Sequence, residues 1–156
     1  MRRVLELAHA DVMQASAMDR TEVAVLVRYL AARYMDAGFK VTVMEPLPAV
    51  AVAMTEDVLE SILSNVLDNA RQHGGDVATV AVTRLAPESA VLIEISDNGP
   101  GISAANVARV FEPFFTTARR QGGTGLGLAV VKSLVTAHGG SIELGESAAG
   151  VRLRIR

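Results

Sequence analysis

Asn65 and Asn69 stand four residues apart in "ESILSNVLDNARQH", a spacing that puts both amides on one face of a helix. An amide offers a hard oxygen to a cation such as Mg2+ and an N–H to a phosphate; on spacing alone, an ordinary pair of helix-surface amides is the better reading. Further along, "SDNGPGISAANVARVFEPFFTT" sets one strong acceptor, Asp97, beside Gly99 and Gly101, whose backbone can take positive φ and admit a ligand closely. The same residues also fit an ordinary Asx-turn. "GGTGLGLAVVK" (residues 122–132) is a glycine-rich lead-in to a helix, where free N–H groups and the helix dipole favour an anion. It is no P-loop, because G-x-x-x-x-G-K-[ST] does not occur, and a dinucleotide fingerprint would need a glycine at Leu128 or Val130. A hinge beside a buried helix is the competing reading.

The elements that must position these residues follow from periodicity. Leu5, Ala8, Val12 and Ala15 predict a short amphipathic helix over 2–17 that needs a partner. Asp19 and Glu22 form a capping box before a helix stopped by Gly38. "FKVTVM" alternates as a strand does, "PLP" breaks the chain, and Val50 to Ala53 make a second short strand. Thr55 caps a helix that runs to about His73, with Glu56 and Asp57 in its first turn, an apolar stripe from Val58 to Leu67, and Gly74 and Gly75 at its end. "VATVAVTRL" and "AVLIEISD" are strands joined as a hairpin near Pro87 and Glu88. A last helix spans about Thr124 to His138, and two strands near "SIEL" and "VRLRIR" close the chain. Paired strands imply hairpins, so the sheet should be mixed or antiparallel with helices on one face.

Composition bounds the partners. The 156 residues fit one domain, and half of them are hydrophobic with no Trp and few aromatics, so the core must be aliphatic. A net charge of −2 from 15 basic and 17 acidic residues, without long runs, points to neither nucleic acid nor membrane surface. Without cysteine there are no disulfides and no thiolate metal sites. That suits a cytoplasmic setting. No apolar run reaches the roughly 18 residues of a membrane span, and "MRRVLELAHADV" is too polar for a signal peptide.

Four stretches, taken jointly in order and spacing, resemble the N, G1, F and G2 boxes of sensor histidine kinases: "NVLDNA" (65–70), "DNGPGI" (97–102), "FEPFF" (111–115) and "GTGLGL" (123–128). The resemblance covers about residues 20 to 155. It implies the catalytic and ATP-binding domain, of the fold shared with DNA gyrase, mismatch-repair ATPases and ATP-dependent chaperones. The fold class so implied is α/β, an α+β two-layer sandwich with a mixed sheet of about five strands on three helices and a mobile ATP lid. Residues 19–156 would be that domain, and residues 1–18 the end of a dimerisation-hairpin helix or a linker.

The resemblance also implies roles. ATP and Mg2+ would be the cofactors. Asp97 would accept from the adenine amino group while Gly99 and Gly101 let the backbone approach. Guanine presents a carbonyl there instead, and an unpaired buried acceptor costs about 1–3 kcal/mol, so ATP should be preferred to GTP. Asn69 would ligate Mg2+ and Asn65 would support the phosphates. Gly123, Thr124, Gly125, Leu126 and Gly127 would cradle them through backbone N–H groups. Gln72, His73, Ile102, Phe111 and Leu128 would complete the nucleotide site. Between Gly101 and Thr124 lies the lid, anchored by Phe111, Phe114 and Phe115, with Arg119 and Arg120 reaching towards the γ-phosphate.

In the hydrolytic relatives the residue four before the Mg2+-binding Asn is typically a water-activating Glu; here it is Asn65, which cannot serve as a base. A protein-histidine kinase is therefore expected, ahead of a scaffolding pseudokinase or a gyrase- or chaperone-type ATPase. Two departures from the family pattern stand out: Gln72 replaces a frequent Lys or Arg, and no threonine follows Gly150. His73 falls in the apolar stripe as a packed neutral ring. None of His9, His73 and His138 has the acidic neighbour and downstream proline of a phosphoacceptor. The chain thus reads as a fragment with little activity alone, monomeric by itself, whose partners would be the acceptor hairpin of a homodimeric kinase and a response-regulator receiver domain. It would lie in the cytoplasm, as a soluble kinase or as the cytoplasmic portion of a membrane-bound sensor.

Overall fold

The computed structural model describes residues 19–73, 75–86, 90–117, 123–147 and 149–156. The helix expected over 2–17, Gly74, the hairpin joint at Pro87 and Glu88, and Arg119 and Arg120 lie outside the described residues.

Helix α1 (Val23–Asp36) buries Val23, Leu26, Val27, Leu30, Ala31 and Tyr34, the spacing of a helix with one apolar face. It ends at Gly38, which takes φ +82°. The expected capping box is absent. Thr21 and Glu22 instead form a short strand, β1 (Thr21–Glu22), antiparallel to β3 (Ala51–Val52), and Glu22 makes no side-chain cap bond. The Val23 N–H donates to Val50 O at 3.1 Å, so backbone from a neighbouring segment satisfies one of the first-turn N–H groups that have no partner within the helix.

Strand β2 (Lys40–Val43) does not form the expected hairpin with β3. It runs parallel to β4 (Val77–Leu85), from Lys40↔Val77 to Val43↔Val80. Pro46 and Pro48 between β2 and β3 carry no N–H for a ladder. Helix α2 (Glu56–His73) supplies the long crossover that a parallel pair requires. Thr55 caps α2 as expected, its Oγ1 accepting from Val58 N at 3.4 Å. Leu59, Ile62, Leu63, Val66, Leu67 and Ala70 form the buried stripe of α2.

β4 pairs antiparallel with β5 (Ala90–Asp97), from Ala78↔Asp97 to Leu85↔Ala90. The five-stranded sheet is completed by β7 (Arg152–Ile155) and β6 (Ile142–Leu144), in the order β2-β4-β5-β7-β6. It is the mixed sheet that was expected. Alternate residues Val80, Val82, Ile93, Ile95, Leu153 and Ile155 point inward and join the apolar faces of α1, α2 and α4 (Gly127–Ala137) in one core. On the other face Arg154 lies 3.2 Å from Glu94, and Arg156 lies 3.2 Å from Glu143.

α4 starts three residues later than expected. Gly125 takes φ +71°, a left-handed conformation that cannot continue a helix, which leaves Thr124 and Gly125 in the loop. A four-residue helix, α3 (Ala104–Val107), follows the turn after β5.

Candidate functional site

The second half of α2 carries Asn65, Asp68, Asn69 and Gln72 along one face, while Val66, Leu67 and Ala70 turn to the core. That division follows from the helical period: positions i, i+3, i+4 and i+7 share a side. These four residues form one wall of a cavity of about 590 Å³. The turn after β5, α3, residues 115–117, the glycine loop before α4 and Val151 form the others.

Asn65 commits its Nδ2 to Ser61 O at 2.8 Å, so its oxygen is the end left to face outward. A methyl group on Gly127 would lie 3.3 Å from that oxygen. The amide therefore meets the first turn of α4 closely, and glycine at 127 leaves the room.

Asp97 ends β5, and its carboxylate is fixed by backbone. Oδ1 accepts from Gly99 N at 2.9 Å and from Val151 N at 3.2 Å; Oδ2 takes neither bond. Gly150, at φ +69°, passes so close that a β-carbon there would stand 2.0 Å from Asp97 O. Only glycine permits this approach. Val151 lines the cavity without a hydroxyl. Its part is the backbone donor, which no side-chain pattern reveals.

Among the positions expected at a nucleotide site, the cavity brings together Asn65, Asn69, Gln72, His73, Asp97, Gly101, Ile102, Gly123, Thr124, Gly125, Gly127 and Leu128. His73 is half-buried at the wall rather than sealed in the core. Gly99, Phe111 and Leu126 stand outside the wall. Gly99 acts through its N–H on Asp97, Leu126 turns its N–H to Thr124 Oγ1 at 3.4 Å, and Phe111 lies under Lys132, whose Nζ is 5.5 Å from the ring centre. Phe111 and Phe115 pack against the core. Phe114 is 67% exposed and so does not anchor by burial; its N–H reaches Gly125 O at 2.9 Å.

Asp68, Ser103 and Asn106 line the cavity without having been singled out in the sequence, and so does Val151, at the position after Gly150 where the family pattern has a threonine. Asp68 was within reach of pattern reasoning, since it lies three residues after Asn65. Ser103 and Asn106 sit at a four-residue helix with no periodic signal. Asp68 also ties two helices together: its Oδ1 accepts from Tyr34 Oη at 3.0 Å and from Arg71 Nη2 at 3.1 Å. Burial, helped by the Asp68 charge, pushes the Tyr34 phenol up to about 12.

The described lining contains two carboxylates, Asp68 and Asp97, and no lysine or arginine. Among the described residues no group of three or more His, Cys, Asp or Glu side chains could hold a metal ion. The donors along α2 are hard oxygens, from Asn65, Asp68 and Asn69. Such a sparse oxygen set suits Mg2+, which keeps water and takes ligand phosphates rather than a full protein cage.

Residues 54–156 match the family model described as histidine kinase-, DNA gyrase B-, and HSP90-like ATPase. The chain is 36% identical over 108 residues to the sensor protein KdpD of Clostridium acetobutylicum, which covers 67% of this chain and 12% of that protein. It is 40% identical over 111 residues to the sensor histidine kinase component HK1 of Mycobacterium tuberculosis, covering 70% of this chain and 64% of that one. The chain therefore spans less than two thirds of either relative. The solved ATP binding domain of PrrB from Mycobacterium tuberculosis superposes with a TM-score of 0.71 at 26% identity, covering 88% of this chain and 94% of that domain.

Proposed function

Because the chain belongs to the family of histidine kinase-, DNA gyrase B-, and HSP90-like ATPases, we propose that its cavity binds ATP with Mg2+ and presents the γ-phosphoryl group to a histidine on a separate helical hairpin. From that histidine the group passes to an aspartate of a response-regulator receiver domain. Residues 19–156 form the catalytic domain, and residues 1–18 are the end of the hairpin or a linker to it. Among the described residues no helix is long and apolar enough to cross a membrane.

The observation that carries phosphotransfer over hydrolysis is Asn65. A hydrolase needs a base beside the γ-phosphate, and an amide whose nitrogen is already bonded to Ser61 O cannot take a proton from water. Positioning is then the main task of this chain. Asp97, held by Gly99 and Val151, fixes the adenine amino group. Asn69 ligates Mg2+ and Asn65 braces the phosphates, while N–H groups of the 123–127 loop receive them. Mg2+, when bound, neutralises phosphate charge and orients the transferring group. Arg119 and Arg120 supply positive charge from the lid.

Calorimetric titration tests this reading. ATP should bind in a Mg2+-dependent way, GTP should bind more weakly, and Asp97→Asn should lose about tenfold or more in affinity, the equivalent of about 1–3 kcal/mol. Phosphate release by the chain alone should be slow, with transfer appearing only when an acceptor hairpin is supplied. Rapid release by the purified chain would overturn the kinase reading. Folded protein that binds neither nucleotide would overturn the site.

A further inference from the structure

Asp68 is the one carboxylate on the α2 wall of the cavity, placed between Asn65 and Gln72 on the same helical face. It does not rotate freely. Tyr34, 6% exposed and on α1, bonds its Oδ1, and so does Arg71. Neither bond uses Oδ2, and neither removes the charge. Tyr34 is a neutral donor, and the Arg71 pair is exposed on both sides, at 47% and 44%, where solvent weakens it. One turn on from Asp68, at 72, stands an uncharged glutamine. No lysine or arginine lines the cavity among the described residues. Leaving the lid arginines aside, a polyanion entering without a counter-ion meets a fixed negative charge on the α2 wall.

We propose that Asp68 discriminates between nucleotide forms, disfavouring free ATP and favouring the ATP complex of a divalent cation. This rests on the nucleotide-site reading above and deepens it. Repulsion between carboxylate and triphosphate weakens binding of the bare ligand. When a divalent cation accompanies the nucleotide, the same charge and the unused oxygen become attractive, whether the oxygen reaches the cation directly or through its water. Tyr34 is a positioning residue in this scheme, aiming the carboxylate from a second helix.

The experiment compares ATP affinity of the whole chain in excess EDTA with that in excess Mg2+, by calorimetry, for the wild type, Asp68→Asn and Gln72→Lys. The readout is the ratio of the two dissociation constants, which a general loss of structure would not change selectively. Asp68→Asn should bind metal-free ATP more tightly, and the Mg2+ enhancement should fall by about threefold or more, with the difference shrinking as salt is raised. Gln72→Lys, at an exposed position, should lower the ratio in the same direction by placing a cation one turn from Asp68. It carries the test if Asp68→Asn does not fold. Ratios unchanged in the variants, with both affinities moving together, would overturn the proposal and leave the nucleotide site intact. A folded wild type that binds ATP under neither condition would overturn both.

Discussion

Asp97 and Asp68 are carboxylates in the same cavity held by opposite kinds of partner. Backbone N–H groups of Gly99 and Val151 hold Asp97, so its orientation survives most side-chain changes nearby. A phenol and a guanidinium hold Asp68, so single substitutions can release it. Tyr34 makes this measurable. Its folded pKa is raised from 10.0 to about 12, so the folded protein keeps a proton that the unfolded chain gives up. The stability it contributes is whole below pH 10 and is lost as pH rises from 10 to about 12. Tyr34→Phe should be less stable than wild type at neutral pH, with the gap closing across that window. Denaturant midpoints measured against pH would show it; parallel curves for the two proteins would count against the link.

Loops, at the scale of elements, set how the cavity is closed. Phe114 and Gly125 both take positive φ, 65° and +71°, and a β-carbon on Gly125 would lie 2.5 Å from the Phe114 carbonyl carbon. The two segments are locked backbone to backbone. Gly125→Ala should therefore cost more than the about 1–3 kcal/mol of left-handed strain alone, and should also weaken nucleotide binding. Gly38→Ala is the control: φ is +82° but nothing lies within 4 Å, so only the strain remains. Equal thermal shifts for the two variants would contradict this. The strands 77–85 and 90–97 were legible to the residue, because the first alternates between buried and half-buried positions and the second is an apolar, β-branched run bounded by turn residues. The start of α4, the β1–β3 pair and the parallel setting of β2 were not. Each depends on a partner distant in sequence, Phe114 for Gly125, Val50 for Val23 and β4 for β2, and local pattern carries no trace of it.

The whole molecule joins these parts through one core, in which Leu63 is 1% exposed. Leu63→Ala should destabilise by about 2–5 kcal/mol in chemical denaturation, and because its neighbours Asn65 and Asp68 line the cavity, affinity should fall before unfolding is complete. A loss well under 1 kcal/mol would mean that α2 is not the central support. The cavity draws on segments near 65–73, 97–110, 115–117, 123–128 and 151. Much of it was readable as separate short motifs, since glycines, an isolated acid and paired amides stand out by type. Asp68, though on the same helical face as Asn65, was not told apart from ordinary helix-surface charges, and Val151 contributes its backbone N–H. With no tryptophan and two tyrosines in the chain, its ultraviolet emission comes from two rings in contrasting settings. Tyr29 is 53% exposed to water and Tyr34 is buried, one hydrogen bond from the cavity wall. The protein thus carries an unlabelled optical reporter of its own ligand site, with a solvent-facing ring as its internal reference.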